Sequence, residues 1–282
     1  MTGWKRCGDL VRGGNRVRGW WLCVVLFALV SDARAEHEGK IQVLLLGDST
    51  TIGSVCRITD PAGPHLEDVI RLRLAAEKDL PAVNVINQGR DGEFIHGLLT
   101  GGRYDKEIAT LKAIDYVFIR YGLNDNSKRE NLAENFPKDF KALLAKLRTN
   151  FPQAVLIPTT IIPYINAETD AKLNGLIAGV AKDEQLPLFD VYTRYQTELS
   201  YGQNMLNYRR YPLEKIPESQ REWLKPFVKG QSVVVMDNRL DAHFRDLPGW
   251  FGDRHPNLAG YHVIGDETAK YLSKLLQERA KK

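Results

Sequence analysis

Four residues of this sequence have the chemical types that nucleophilic acyl transfer requires. Ser49 stands in a Gly-Asp-Ser-Thr sequence, and His255 stands in an Asp-Arg-His-Pro sequence. A serine hydroxyl becomes a nucleophile when a neighbouring base takes its proton, and imidazole is the most common base. Asn124, in Gly-Leu-Asn-Asp, and Gly89, in Asn-Gln-Gly, could donate N–H groups to the oxyanion that forms after attack. These residue types indicate acyl-transfer chemistry if the fold brings them together.

Two other hydrolytic chemistries fit the sequence less well. Asp241, His243, Asp253 and His255 are metal-ligand types, but their spacing matches no H-E-x-x-H or similar motif. A metal site would also leave the serine, glycine and asparagine segments unexplained, so we expect neither a metal nor another cofactor. An α/β-hydrolase needs a G-x-S-x-G elbow, whereas Ser49 lies in Gly-Asp-Ser-Thr-Thr, without the final glycine.

The candidate residues fall at the ends of predicted strands. Short apolar runs are typical of strands that are buried on both faces of a parallel sheet, and here they alternate with segments of helical periodicity. The predicted strands are 41–46, 83–86, 116–119, 155–157 and 188–191, and the predicted helices are 66–80, 137–147, 173–182 and 258–276, the last capped by Asn257. Ligands of such sheets bind at the carboxyl ends of the strands, where Ser49, Gly89 and Asn124 lie.

In this order and at these boundaries, the four segments resemble the SGNH (GDSL-type) hydrolases, whose four blocks supply Ser, Gly, Asn and His. The resemblance covers roughly residues 42–275, apart from 193–252. It implies a flavodoxin-like, three-layer α/β/α fold with a parallel sheet of about five strands. It also implies Ser49 as nucleophile, His255 as general base, and an oxyanion hole made of the Ser49 N–H, the Gly89 N–H and the Asn124 amide.

The sequence departs from this family at the acid that orients the histidine. The family usually has an aspartate three residues before the histidine, where this chain has Gly252. Asp253 lies two residues before His255, and a local bend could still bring its carboxylate to the imidazole. Asp246 or Asp241 could serve instead, or a backbone carbonyl could orient the ring. We predict Asp253 because it shares a short loop with His255.

Residues 193–252 interrupt the alternation of strands and helices. About 60 residues is long for a connection in a compact domain, and this one is rich in aromatic residues. We interpret it as an inserted cap or wall segment before the final helix, with its own helix near 218–227. Its aromatic rings could stack on sugars or could form the core of the insertion.

Residues 1–35 have the layout of a secretory signal peptide. A basic beginning is followed by the apolar run 20–30 and by an Ala-Arg-Ala sequence at 33–35. An apolar run of that length is short for a membrane span, which takes about 20 residues, so we expect cleavage near Ala35 and export, without stable membrane insertion afterwards. The domain would then comprise residues 36–282, in which Cys56 is the single cysteine and no internal disulfide can form.

The charge of the exported chain argues against polyanionic partners. The full sequence has a formal net charge of +4, with 39 basic and 35 acidic residues, but residues 1–35 contain six of the basic and two of the acidic ones. The remainder is formally neutral, and its charge gives no reason to expect nucleic acid as a partner.

The sequence therefore predicts a secreted serine esterase that hydrolyses acyl esters, acetyl esters above all, on carbohydrate. The alternatives are a short-chain lipid esterase or lysophospholipase of the same fold, and a catalytically silent glycan-binding module.

Overall fold

The structure is a computed structural model that describes residues 39–202 and 205–281. Its centre is a four-stranded parallel sheet in the order β2-β1-β3-β4. The strands are β1 (Lys40–Gly47), β2 (Ala82–Asn87), β3 (Tyr116–Arg120) and β4 (Val155–Pro158). Because β1 lies between β2 and β3, the loops that follow those two strands flank the residues that follow β1. The predicted signal peptide, 1–35, lies outside the described residues.

Helices cover both faces of the sheet. The larger helices of the domain are α3 (Leu66–Ala75), α6 (Leu132–Asn150), α7 (Ala167–Asp183) and α11 (Leu258–Ala280), and the shorter ones are α1 (Ser49–Ile52), α2 (Ser54–Thr59), α4 (Ile95–Thr100), α5 (Leu123–Lys128) and α8 (Tyr192–Ser200). Leu44 and Leu46 of β1 pack into one hydrophobic core with α6 and α7, whereas Val43 and Leu45 pack into another with α3 and α11. This alternation explains why β1 is apolar along its length.

The α/β fold class predicted from the sequence is confirmed. Of the five predicted strands, the last, 188–191, is shorter than predicted. Segment 188–191 adds to the sheet only through a parallel bridge between Thr159 and Phe189. The Thr160 hydroxyl then accepts hydrogen bonds from the N–H groups of Val191 and Tyr192, at 2.9 and 3.0 Å, and α8 begins at once. These bonds take N–H groups that a longer ladder would have used.

The predicted helices lie where the structure has helices, but several of their ends differ. The helix predicted over 66–80 ends at Ala75, and the one predicted over 137–147 spans Leu132–Asn150, with Pro137 inside it. The last helix begins as predicted at Leu258, where the Asn257 side chain accepts the N–H of Gly260 at 3.0 Å.

Residues 193–252 contain a small antiparallel sheet with its own core. The strands are β5 (Arg209–Pro212), β6 (Val228–Lys229) and β7 (Ser232–Val235), in the order β5-β7-β6, and the helices that follow α8 in this segment are α9 (Glu218–Arg221) and α10 (Asp241–Phe244). The predicted helix near 218–227 is therefore α9 followed by a 3-10 turn at Lys225–Phe227. Phe244 and Trp250 are buried in this core, so these two rings cannot stack on a ligand.

The small sheet is tied to the loop before the last helix. Tyr208 N donates to His255 O at 3.0 Å, and Asn257 N donates to Leu206 O at 2.8 Å. The Asn257 amide also donates to the carbonyls of Met205 and Met236, at 2.8 and 2.6 Å. The segment thus fixes the position of the histidine loop. Across the described ranges, no helix is both long enough and apolar enough to cross a membrane.

Candidate active site

Ser49 is the first residue of α1, directly beyond the carboxyl end of β1. Asp48 caps this short helix: its Oδ1 accepts the Thr50 N–H at 2.9 Å and the Thr50 hydroxyl at 2.7 Å. Gly47 is required by packing, because a Cβ there would lie 2.1 Å from Thr51 Oγ1 and 2.7 Å from Arg120 O. The turn that presents Ser49 is therefore held from both sides.

Two buried, oppositely charged groups support this turn from below. Asp48 and Arg120 are 1% and 5% exposed, and Arg120 Nη2 donates to the carbonyl of Thr50. Burial raises the pKa of Asp48, although its bonds to Thr50 and the charge of Arg120 oppose the shift. Burial lowers the pKa of the Arg120 guanidinium, and the charge of Asp48 opposes it. Each charge partly compensates the desolvation of the other.

His255 lies within hydrogen-bonding distance of both Ser49 and Asp253. Its Nε2 is 2.9 Å from Ser49 Oγ, and its Nδ1 is 2.7 Å from Asp253 Oδ1. The same Asp253 oxygen accepts the backbone N–H of His255 at 3.0 Å, which is the local bend that lets an aspartate two residues away reach the ring. Since an ionised carboxylate only accepts, Nδ1 carries the proton and Nε2 is free to accept the Ser49 proton.

The carboxylate of Asp253 is almost buried, with 5% of its side chain exposed, and its second oxygen faces Arg210. Arg210 Nε lies 2.8 Å from Asp253 Oδ2, as an ion pair without hydrogen-bond geometry. Burial favours the protonated acid, but the hydrogen bonds and charge of His255, together with Arg210, hold the pKa of Asp253 below its usual range. Asp253 is thus ionised beside the imidazole at neutral pH.

The other acids considered from the sequence have different positions. Asp241 accepts hydrogen bonds from Arg209 Nε at 2.9 Å and from Arg209 Nη2 at 2.7 Å. Its Oδ1 also accepts the Trp250 Nε1–H at 2.8 Å, so Asp241 stabilises the core of the small sheet. Asp246 is exposed, and the ring of His255 contacts Asp253 instead. Among residues 39–202 and 205–281, no three His, Cys, Asp or Glu side chains are grouped to hold a metal ion.

Asn124 faces the serine from α5, after the end of β3. One hydrogen of its Nδ2 is donated to Glu93 O at 3.1 Å, which orients the amide, and the amide group has a second hydrogen to donate. The next residue, Asp125, is buried and accepts the N–H groups of Ile95 and Gly122, at 3.0 and 3.1 Å. Burial raises the pKa of Asp125 to about 7. Asp125 therefore holds the loop that carries Asn124.

Gly89 packs against the serine helix but does not open onto the cavity beside Ser49. A Cβ on Gly89 would lie 2.5 Å from Ile52 N, so only glycine fits this close approach. Its N–H donates to Asn87 Oδ1 at 3.0 Å. Of the predicted site residues, Ser49, Asn124 and His255 line one cavity, while Gly89 lies behind the serine turn and Asp253 lies behind the imidazole.

The cavity beside Ser49 has a volume of about 350 Å³ and includes two residues that sequence reasoning missed, Tyr164 and Arg210. The Tyr164 hydroxyl lies 3.1 Å from His255 Nδ1 and 3.2 Å from Nε2, and the two rings meet edge to face, with centroids 5.3 Å apart. Tyr164 follows the carboxyl end of β4, a position that could have indicated it. Arg210 belongs to β5 in the inserted segment, where no motif marks it.

A protein-family model matches more than half of the chain. The model of the GDSL-like Lipase/Acylhydrolase family matches residues 45–211, which include Ser49, Gly89 and Asn124 and end before His255. No curated protein sequence matches the chain.

Several solved structures share the fold at low sequence identity. A lipase/acylhydrolase from Enterococcus faecalis is 19% identical, with 84% of this chain and 97% of that chain covered and a TM-score of 0.50. An acetylxylan esterase from Geobacillus stearothermophilus is 14% identical, with 82% and 93% covered and a TM-score of 0.52. A member of the lipolytic protein G-D-S-L family from Veillonella parvula is 16% identical, with 82% and 97% covered and a TM-score of 0.50.

Asp253→Asn should lower kcat/KM, by a factor between several-fold and about 10⁴, because an amide lacks the charge and can favour the wrong imidazole tautomer. The rate is measured on a soluble acetyl ester at pH 7 to 8. Asp246→Asn is the matched control, since Asp246 is exposed and does not contact the ring, and it should stay within about twofold, as surface changes usually do. Equal losses in both variants would show that Asp253 is not the residue that orients His255.

Proposed function

The chain belongs to the GDSL-like lipase/acylhydrolase family and is a carboxylic ester hydrolase, and from this premise we propose that it is an exported serine esterase that removes short acyl groups, acetyl above all, from carbohydrate. The observation that carries the proposal is the chain of contacts from Ser49 through His255 to Asp253, which opens onto the cavity of about 350 Å³.

In the proposed reaction, Ser49 Oγ attacks the ester carbonyl carbon while His255 Nε2 takes its proton. The tetrahedral intermediate then collapses, the carbon–oxygen bond to the alcohol breaks, and His255 returns the proton to the leaving alcohol. Water attacks the acyl-enzyme with His255 again as base, which releases the carboxylic acid and regenerates Ser49. Asp253 keeps Nδ1 protonated and stabilises the imidazolium that forms in each step.

The oxyanion is proposed to bind at the start of α1 and α5. The Ser49 N–H lies at the first position of a helix, and Asn124 lies across the same cavity with one amide hydrogen to donate. The Gly89 N–H, which the family resemblance implies as a third donor, is bonded to Asn87 Oδ1 at 3.0 Å and does not line the cavity, so the proposal rests on the first two donors. Donors that are fixed before the reaction are worth most when negative charge develops in a site shielded from water.

The lining of the cavity supports a short acyl group. Among the described residues around it, Val55 is the only aliphatic side chain, and the others include Ser54, Asp91, Asn124 and Arg210. Each methylene that leaves water for an apolar surface contributes about 0.8 kcal/mol, and here that surface comes from Val55 and from the rings of three tyrosines, Tyr164, Tyr208 and Tyr261. An acetyl group needs little apolar contact, and the polar side chains among the described lining residues give the methylenes of a longer acyl chain no such gain.

Carbohydrate is the alcohol that best suits the polar groups of this lining, since its hydroxyl groups can exchange hydrogen bonds with Ser54, Asp91 and Tyr164. The fold is also that of an acetylxylan esterase, at 14% identity. The proposal does not depend on aromatic stacking by the inserted segment, in which Phe244 and Trp250 are buried in the segment's own core.

A panel of p-nitrophenyl esters of rising chain length, together with acetylated oligosaccharides, tests the activity. kcat/KM should be highest for acetate and fall as the chain lengthens, and acetyl should be released from the oligosaccharides. Ser49→Ala should lose about 10³-fold or more and should no longer react with a fluorophosphonate probe. Ser200→Ala, a change at an exposed serine outside the cavity, should leave both properties intact. Retention of most activity in Ser49→Ala would exclude Ser49 as the nucleophile.

Asn124→Ala should lower kcat by about 10²–10³ and change KM less, because its bond strengthens as charge develops. Asn126→Ala, two residues along the same helix and outside the cavity lining, controls for loss of an amide from α5. A change confined to KM would make Asn124 a substrate-binding residue and not an oxyanion donor.

Export rests on the basic and apolar segments of residues 1–35 and on the Ala-Arg-Ala sequence at 33–35. After secretion, intact-mass measurement should give a chain that begins at Glu36. An exported protein that retains residues 1–35 would contradict cleavage at this site.

A further inference from the structure

A second cavity adjoins the one beside Ser49. It has a volume of about 310 Å³ and is formed mainly by the inserted segment and the histidine loop. The two cavities share Tyr164, Arg210 and His255 as lining residues. A substrate whose ester lies at Ser49 can therefore extend past His255 into the second cavity.

The mechanism decides which half of the substrate extends there. His255 gives its proton to the leaving alcohol, so the alcohol oxygen must lie next to His255 Nε2. The carbonyl oxygen must instead point toward Asn124, the proposed oxyanion donor. Because His255 lines the second cavity and Asn124 does not, the alcohol half is the part that reaches it.

The second cavity carries an excess of positive charge. Its lining includes Arg210, Lys215 and Arg254, and Asp253 is the single carboxylate among its described lining residues. That carboxylate is 5% exposed and already contacts His255. Asp91 lies in the first cavity, on the loop after β2, and does not line the second. A ligand in the second cavity therefore meets Arg210 and Lys215, while the one carboxylate among the described lining residues is almost buried.

The position of Arg210 in β5 determines where its side chain points. Side chains alternate along a strand, and in β5 Arg209 and Tyr211 are buried whereas Arg210 is exposed. Arg209 points into the core of the segment and pairs with Asp241, while Arg210, with 42% of its side chain exposed, points to the cavities. Within the described ranges, Asp253 is the only ion-pair partner of Arg210, and it faces Nε, so the two Nη groups remain for a ligand.

Resting on the proposed function, we propose that the second cavity binds the carboxylate of an acidic sugar in the alcohol half of the substrate, through Arg210 and Lys215. A guanidinium donates two parallel hydrogen bonds to a carboxylate, and the ammonium adds a second charge. A phosphate from a lipid would match these cations too, but Val55 is the only aliphatic side chain that its long acyl chain would meet among the described residues that line the cavity beside Ser49.

The test uses three sugars that carry one acetyl group at the same position: a methyl glucuronide, its uronamide and the methyl glucoside. For the native protein, kcat/KM should be about 5- to 10-fold higher for the glucuronide than for the two neutral sugars, as for a partly exposed charge-assisted contact. The preference should act mainly through KM and should weaken as salt rises from 0.05 to about 0.5 M, since salt screens exposed charges.

Lys215→Met is the informative variant, because Lys215 does not contact Asp253 and its removal leaves the catalytic contacts unchanged. It should lower the preference for the glucuronide at least about threefold, without changing hydrolysis of p-nitrophenyl acetate. Lys229→Met removes an exposed lysine that lines neither cavity and should preserve the preference. Arg210→Met should abolish the preference and also alter the pH profile on p-nitrophenyl acetate, because it removes the partner of Asp253.

Each contrary result has a distinct meaning. Equal rates on the three sugars, or a preference that survives Lys215→Met unchanged, would overturn the acidic subsite while leaving the carbohydrate esterase intact. Hydrolysis of p-nitrophenyl acetate without release of acetyl from any sugar would overturn the carbohydrate function and the subsite with it. Faster turnover of a lysophosphatidic acid than of the glucuronide would assign the cations to a lipid phosphate and also overturn the proposal.

Discussion

The contact between Ser49 Oγ and His255 Nε2 joins two residues that are 206 positions apart in the chain and holds them at 2.9 Å. Neither residue could reach this distance by local structure alone. The serine is fixed by the end of β1 and its cap, and the histidine is fixed by the loop before α11, a helix that packs closely against α3. The distance therefore depends on the packing of the last helix against the sheet, and with it on the hydrophobic core that Val43 and Leu45 share with that helix.

The inserted segment has a structural role in the same contact. The carbonyl of His255 accepts the Tyr208 N–H, and the Asn257 amide joins the start of α11 to the carbonyls of Met205 and Met236. Arg210, from the first strand of the small sheet, pairs with Asp253. A segment that interrupts the usual alternation of strands and helices thus holds the histidine loop and borders the site. Its removal would leave that loop without several of its hydrogen-bond partners.

The sequence indicated the parallel sheet because β1 and β3 are apolar on both faces, and it indicated Ser49, Asn124 and His255 because short motifs stand at strand ends. It could not predict the extent of 188–191, where the Thr160 hydroxyl ends the ladder, since a side chain that competes for backbone N–H groups leaves no periodic signal. Arg210 was also missed, because its neighbour Arg209 is of the same type and only the fold decides which of them is buried. The bend at Asp253 was one of several open alternatives until the loop geometry was known.

The two side chains that contact Asp253 give its position a further consequence. Arg210 contacts one carboxylate oxygen and His255 the other, so the imidazolium that forms during the reaction shares the acid with a guanidinium. A substrate carboxylate that binds the Nη groups of Arg210 adds a negative charge to the cavity that His255 also lines. This charge interacts more favourably with imidazolium than with neutral imidazole, so part of the binding energy would appear only in the transition state. An acidic sugar would then gain from Arg210 in kcat as well as in KM, the gain in KM being the larger because most of the contact exists before the proton moves.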